Sequence, residues 1–241
     1  MKDTIKFNKG SALVVAHRGL SGIERENTNA AFVAAGNRSY FGIETDVRVT
    51  ADGNFILLHD NDTSRVAGDF VVPEKSTLQT LQSIQLIDTD GRRDRADLRL
   101  ATLQDYLRIC ERYNKVCVLE FKGYFSVENM EKVVAIVKEE YTLDKMIFIS
   151  FAMENLVNLR EVCPESNCQF LTGQFSDELI ETLVEKKMDL DIWSGALDEE
   201  AKVKKCLDAG IKVNVWTVDN KDEAEKLVSW GVQYVTSNIL E

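Results

Sequence analysis

Ile43-Glu44-Thr45-Asp46-Val47-Arg48 sets two acids and a base into an otherwise apolar, β-branched run. Successive side chains of a strand point to opposite faces, so Ile43, Thr45, Val47 and Val49 share one face and Glu44, Asp46 and Arg48 the other. The apolar face suits packing against helices, which turns both carboxylates toward the inside of a barrel near the strand's C-terminal end, where barrel enzymes hold their chemistry. Lys115-Val116-Cys117-Val118-Leu119-Glu120-Phe121-Lys122-Gly123 reads the same way, with Val118, Glu120 and Lys122 on one face.

Working outward, short Val- and Ile-rich runs alternate with longer amphipathic stretches. Strands are expected at 12–17, 42–50, 115–121, 146–151, 167–172, 189–194, 211–218 and 233–236. Helices are expected near 28–38, 102–113, 126–140, 153–162, 176–187, 198–209 and 220–230. Repeated strand–helix units imply a parallel sheet, and eight of them in 241 residues fit an α/β protein of the (β/α)8 TIM-barrel class, a single domain over 1–241. An open doubly wound sheet is the alternative, but no Gly-x-Gly-x-x-Gly turn follows the first strand. Asn27 or Thr28 can cap the first helix and Thr102 another, while Gly210 and Gly231 follow helices as left-handed stops.

Residues 60–101 break the alternation. They carry Val66, Phe70, Val71, Val72, Leu78, Leu81, Ile84, Leu86 and Ile87, too many apolar residues and too great a length for a structureless loop. The segment is expected to be a small insertion after the second strand, leaving from the catalytic rim and holding its own helix near 77–86. Arg92, Arg93, Arg95 and Arg99 are interspersed with Asp90, Asp94 and Asp97 and read as a solvated face.

The net charge of −11 opposes general affinity for nucleic acid or anionic membranes, because a field of that sign repels phosphate at long range. A phosphate-bearing small molecule needs local positive charge instead, from Arg18, a lysine or a metal. The five cysteines are odd in number and include no Cys-x-x-Cys pair, so they read as reduced, mostly buried thiols. The N-terminus has no apolar core of secretory length, and no segment approaches the ~20 apolar residues of a membrane span. A cytoplasmic location without stable membrane insertion is expected.

Both histidines end apolar runs beside charged partners: His17 opens His17-Arg18-Gly19 and His59 opens His59-Asp60. Each can serve as acid, base or metal ligand. Three inward carboxylates at one rim call for a cation or several bases, because buried unpaired charge is costly. An all-oxygen set of Glu44, Asp46 and Glu120 suits a hard divalent cation, Mg²⁺ or Ca²⁺, better than zinc.

In this order along the chain, His17-Arg18-Gly19, Glu26-Asn27-Thr28, Ala31-Phe32, Ile43-Glu44-Thr45-Asp46-Val47, Thr50-Ala51-Asp52-Gly53, His59-Asp60, Thr102-Leu103, Leu119-Glu120-Phe121-Lys122, Ser150-Phe151 and Val215-Trp216-Thr217-Val218 resemble the glycerophosphodiester phosphodiesterase family. The resemblance implies a barrel enzyme that hydrolyses glycerophosphodiesters to glycerol 3-phosphate and an alcohol with a divalent cation. It implies Glu44, Asp46 and Glu120 as metal ligands, His17 and His59 as the acid–base pair, Arg18 and Lys122 as phosphate contacts, and Trp216 as an aromatic beside the substrate. His59 as base and His17 as acid is the preferred division. The chain departs from the family pattern at Arg25 and Ala101, each in place of a frequent proline, and at Thr236-Ser237-Asn238 in place of a frequent Thr-Asp. It stops at Glu241, leaving almost no room for an eighth helix, so residues 1–11 are expected to cover that side. Two rival readings are a lysophospholipase D-like phosphodiesterase and a phosphodiester-binding protein without catalysis.

Overall fold

In the computed structural model, which describes residues 3–241, the strands are β1 (Leu13–Ala16), β2 (Gly42–Val49), β3 (Phe55–Leu57), β4 (Val116–Phe121), β5 (Met146–Ser150), β6 (Cys168–Thr172), β7 (Asp189–Trp193), β8 (Val213–Trp216) and β9 (Tyr234–Ser237). All but β3 are parallel neighbours in the order β1-β9-β8-β7-β6-β5-β4-β2, and β1 pairs with β2 to close the ring. The helices are α1 (Asn29–Gly36), α2 (Ser64–Ala67), α3 (Leu78–Ser83), α4 (Leu103–Arg112), α5 (Val127–Glu140), α6 (Met153–Val162), α7 (Asp177–Lys186), α8 (Glu200–Asp208) and α9 (Lys221–Ser229). The fold is a (β/α)8 barrel.

Period-two alternation sorts the strand residues into two cores. Ile43, Val47, Leu119, Phe121, Phe148, Leu190, Ile192, Val213, Val215 and Val235 join the apolar layer shared with the helices. Within that layer Phe32 of α1 meets Tyr106 of α4 edge-on, with ring centroids 5.1 Å apart. Val15, Val116, Val118, Ile147, Ile149, Leu171 and Tyr234 form a separate cluster inside the barrel. Each large apolar side chain withdrawn from water contributes roughly 1.5–3 kcal/mol.

Helix starts follow from capping hydroxyls. Thr28 accepts from the Ala31 N–H, and Thr102 forms a reciprocal capping box with Asp105. Thr28 is therefore the cap of α1, and Asn27 is left for another task. Gly210 and Gly231 take the expected left-handed conformation, with φ of 77° and 96°.

β3 runs antiparallel to the upper end of β2, where Val47, Arg48 and Val49 face Leu57, Ile56 and Phe55. Ile56 of β3 joins residues beyond it, Leu58, Val66, Ala67, Leu81, Leu86, Leu98 and Leu100, in a subsidiary core. This core holds α2 and α3 on the rim. The arginine-rich stretch is laced by acids, as its alternation suggests: Arg92 pairs with Asp90, Arg93 with Asp69, and Arg95 with Glu24, Asp88 and Asp97. At the other seam, Ile5 bridges to Leu240 and Phe7 packs on the helix-side core, so the described part of the N-terminal segment lies beside the chain's last residues. Met1 and Lys2 fall outside the described residues. All five cysteines are unpaired thiols. Among the described residues no helix is long and apolar enough to cross a membrane.

Candidate active site

Glu44 and Asp46 on β2 and Glu120 on β4 converge as the alternation requires: Asp46 is in register with Glu120. One carboxylate oxygen from each lies within 4.8 Å of the others, and all three residues are buried. Burial, then the charges of Asp46 and Glu120, push the Glu44 carboxyl well above the usual range. Burial and Asp46 likewise push Glu120 up to about 8. Burial alone would raise Asp46 too, but Lys122 and Arg18 overcome it and hold Asp46 ionised. Its Oδ1 is buried without a hydrogen-bond partner. Such crowding of buried oxygen ligands suits a hard divalent cation, which Glu44, Asp46 and Glu120 could hold.

The two basic residues predicted to meet phosphate sit within this cluster. Lys122 Nζ lies 2.7 Å from Glu120 Oε1 and 3.3 Å from Asp46 Oδ1. Arg18 Nη1 lies 2.9 Å from Glu26 and its Nε 3.4 Å from Asp46. Arg18 and Gly19 both adopt left-handed conformations, with φ of 54° and 76°. A non-glycine residue held there stores about 1–3 kcal/mol. The turn aims the Arg18 N–H at Glu44 Oε2, 2.7 Å away. At Gly19 even a methyl group would come within 2.7 Å of Ala31, so glycine is required on steric grounds as well.

His17 Nδ1 lies 2.7 Å from the amide oxygen of Asn238, and its Nε2 lies 4.0 Å from Glu44. Burial and the neighbouring Arg18 push its imidazole down to about 4. His59 Nδ1 lies 2.7 Å from Asp60 Oδ1, and burial lowers its imidazole as well. A cavity of about 290 Å³ brings His17, Arg18, Glu44, His59, Lys122 and Trp216 together. Trp216 stands edge-on to Phe151, and its Nε1–H is buried without a partner. A wider groove of about 880 Å³ adjoins on the insertion side, bordered by His59, Asp60, Arg65, Lys122, Tyr124 and Phe151.

Several residues that build this site escaped sequence reasoning. Asn27, in the left-handed region at φ 54°, donates to Asp46 Oδ2 at 2.8 Å and accepts from Thr45 at 2.7 Å. Arg48 leaves the barrel interior and donates to the carbonyls of Leu58 and His59, bracing the second histidine. Asp191 is buried on the cavity wall, its Oδ1 without a partner, and burial pushes its carboxyl far up. The Asp189-Leu190-Asp191-Ile192 alternation carried the signal for Asp191.

The sequence profile of the family described as glycerophosphoryl diester phosphodiesterase matches residues 17–240. The chain belongs to this family. As a glycerophosphoryl diester phosphodiesterase family member it is a phosphodiester hydrolase acting on glycerophosphodiesters. The glycerophosphodiester phosphodiesterase of Caldanaerobacter subterraneus subsp. tengcongensis is 26% identical, over 94% of this chain and 93% of that one. A glycerophosphodiester phosphodiesterase structure from Parabacteroides distasonis has 27% identity and a TM-score of 0.77, covering 98% of this chain and 94% of that one. A phosphodiesterase of Oleispira antarctica, solved in complex with the product sn-glycerol-3-phosphate, shares the fold at a TM-score of 0.88 and 24% identity, over 98% of this chain and 96% of that one.

Proposed function

We propose that this family member is a divalent-cation-dependent phosphodiesterase that releases glycerol 3-phosphate and an alcohol, with His17 and His59 dividing the proton transfers. The convergence of Glu44, Asp46 and Glu120 within 4.8 Å, on a cavity that both histidines line, carries the reading. Mg²⁺ or Ca²⁺ held by these three carboxylates supplies Lewis-acid stabilisation of the phosphate's charge. The remaining chemistry belongs to the chain. Arg18 and Lys122 lower the repulsion that an incoming nucleophile meets at an anionic phosphodiester.

The partners of the two histidines differ, and that difference favours the reverse of the division preferred from sequence. Asp60, a carboxylate, backs His59 and favours a held proton, whereas the neutral amide of Asn238 backs His17. His59 also borders the wide groove on the insertion side, whereas His17 borders a separate opening beside Ser21, Asp219 and Asn238. We therefore assign His59 as the acid that protonates the leaving alkoxide and His17 as the base that takes a proton from the nucleophile. That nucleophile is water or the substrate's own glycerol 2-hydroxyl. The glycerol end then lies in the inner cavity near Asp191 and Trp216. Asp60, Asn61, Asp62, Arg65 and Glu154 set polar and charged groups around the groove, beside the exposed rings of Tyr124 and Phe151.

Turnover of glycerophosphocholine, measured before and after EDTA and then with Mg²⁺ or Ca²⁺ restored, tests the reading. Chelation is expected to abolish hydrolysis and either cation to restore it. Undiminished turnover after exhaustive chelation removes the metal, and no turnover under any condition leaves a binding protein.

A further inference from the structure

Asn238 stands where the family's frequent Thr-Asp pattern is replaced, and its surroundings give the replacement a purpose. Its side-chain Nδ2 lies 2.6 Å from Asp219 Oδ2, and its backbone N–H lies 2.8 Å from Asp219 Oδ1. Ser237 Oγ also donates to Asp219 Oδ1 at 2.8 Å. An ionised carboxylate only accepts hydrogen bonds, so the end of the Asn238 amide that faces Asp219 has to be the NH₂ end. The carbonyl end is thereby turned to His17 Nδ1, 2.7 Å away. Ser21 Oγ lies 2.7 Å from that same amide oxygen and 2.7 Å from the His17 carbonyl, two acceptors for its one proton.

An acceptor facing Nδ1 requires a proton on Nδ1. In a neutral imidazole that leaves Nε2 with the lone pair, directed to the cavity side where Glu44 lies at 4.0 Å. The opposite tautomer would present an N–H to the nucleophile and could not take its proton. The His17 backbone N–H is fixed independently, donating to the Ser237 carbonyl at 2.9 Å. The arrangement thus joins the end of β1, the loop after β8 and the residues after β9. Asp219 spends both carboxylate oxygens on it, Oδ1 on Ser237 and the Asn238 backbone and Oδ2 on the Asn238 amide.

We infer that Asp219 and Asn238 are positioning residues that lock His17 in its Nδ1–H form, Asp219 acting through the Asn238 amide. The inference rests on the proposed role of His17 in proton transfer.

The chain has two histidines, so ¹⁵N-histidine labelling of the whole protein gives two pairs of ring signals, and His59→Ala assigns them. In the parent protein His17 is expected to carry its proton on Nδ1. Asp219→Asn keeps size but places an NH₂ end against an N–H donor. The Asn238 amide is then expected to turn over and offer Nδ2 to the ring, moving the proton to Nε2. Turnover number on glycerophosphocholine should fall on the order of 10²-fold, within the range for a lost general base, while KM stays within about twofold. The exchange Asp219→Asn with Asn238→Asp lets the new amide donate to the new carboxylate, which again accepts from Nδ1. It should restore the Nδ1–H signal and bring the turnover number to within about tenfold of the parent.

An unchanged ring signal in Asp219→Asn, or an exchange variant no better than the single one, overturns the inference. Full turnover by His17→Ala instead overturns the reading on which it rests, whatever the ring signals report.

Discussion

Arg65 grips Glu26 through two contacts, Nη1 to Oε2 at 2.6 Å and Nη2 to Oε1 at 2.8 Å, and so ties the insertion to the barrel. The same guanidinium reaches Asp60 through Nε at 2.6 Å. Glu26 in turn holds Arg18, and Asp60 holds His59. One partly exposed arginine therefore sets the position of a phosphate-contact candidate and an acid–base candidate together.

Arg65→Ala should accordingly lower kcat/KM by about 10- to 100-fold, since displacement of about 1 Å at a reacting group costs that much. Its effect on unfolding free energy should stay near 1 kcal/mol or below, because exposed ion pairs contribute little. Steady-state kinetics beside a melting curve separate the two. A large fall in Tm with unchanged kcat/KM would make Arg65 a fastener alone.

Burial, and then the charges of Asp46 and Glu120, push the Glu44 carboxyl up. Glu44→Gln removes like-charge repulsion and keeps an acceptor for the Arg18 N–H. In cation-free buffer the variant should be more stable than the parent by about 1 kcal/mol, and it should lose the Tm rise that Mg²⁺ or Ca²⁺ gives the parent. Equal cation-induced stabilisation of variant and parent would remove Glu44 from the ligand set.

His59→Ala should keep much of its activity on a nitrophenyl phosphodiester and lose it on glycerophosphocholine, because a nitrophenolate departs without a proton whereas an alkoxide does not. His17→Ala should lose about 10²–10⁴-fold on both, since the base serves the nucleophile whatever leaves. The opposite pattern would restore the division preferred from sequence. Equal losses throughout would end the acid–base division.

Residues 60–101, read from sequence as one small insertion, include Asp60 and Arg65. A headgroup-selectivity test therefore has to begin beyond the clamp. Replacing 69–97 with a short linker should change the preferred alcohol more than the cation requirement. Leu81→Ala, in the insertion's own core and fully buried, should cost about 2–5 kcal/mol. Unaltered headgroup selectivity in the linker variant would reduce the segment to surface elaboration.

Far from the site, Glu241 accepts from Thr4, Ser39 and Lys6. Burial would raise its carboxyl, but these bonds outweigh it and bring it from 4.5 to about 2. A depressed carboxyl lends stability that is full above its unfolded value and is lost as pH falls toward the folded one. Glu241→Gln should thus flatten the decline in Tm between pH 4.5 and about 2 and leave neutral-pH turnover unchanged. An identical acid limb in both proteins would contradict this.

How much was legible in the chain follows from the range of the forces involved. Period-two alternation is local, so Glu44, Asp46, Glu120 and Lys122 could be turned inward from sequence, and they are inward. Capping hydroxyls and helix stops are local too, so Thr102 caps α4, and Gly210 and Gly231 follow α8 and α9 in the left-handed region, as expected. β3 was read as an apolar run rather than a strand, since three residues are too few for alternation to register. Asn27, Arg65 and Asp219 owe their places to a left-handed turn or to partners 19 to 39 positions away. No periodicity encodes such contacts. Histidine roles depend on second partners, Asn238 and Asp60, and adjacency revealed just the latter.

The apolar cluster of Val15, Val118, Ile149 and Leu171 inside the barrel closes the inner cavity from below, which makes the catalytic chamber a dead end. On the proposed orientation, with glycerol inward and the alcohol toward the groove, the alcohol is expected to leave first and glycerol 3-phosphate last. Kinetically that order makes glycerol 3-phosphate a competitive product inhibitor and the alcohol a noncompetitive one.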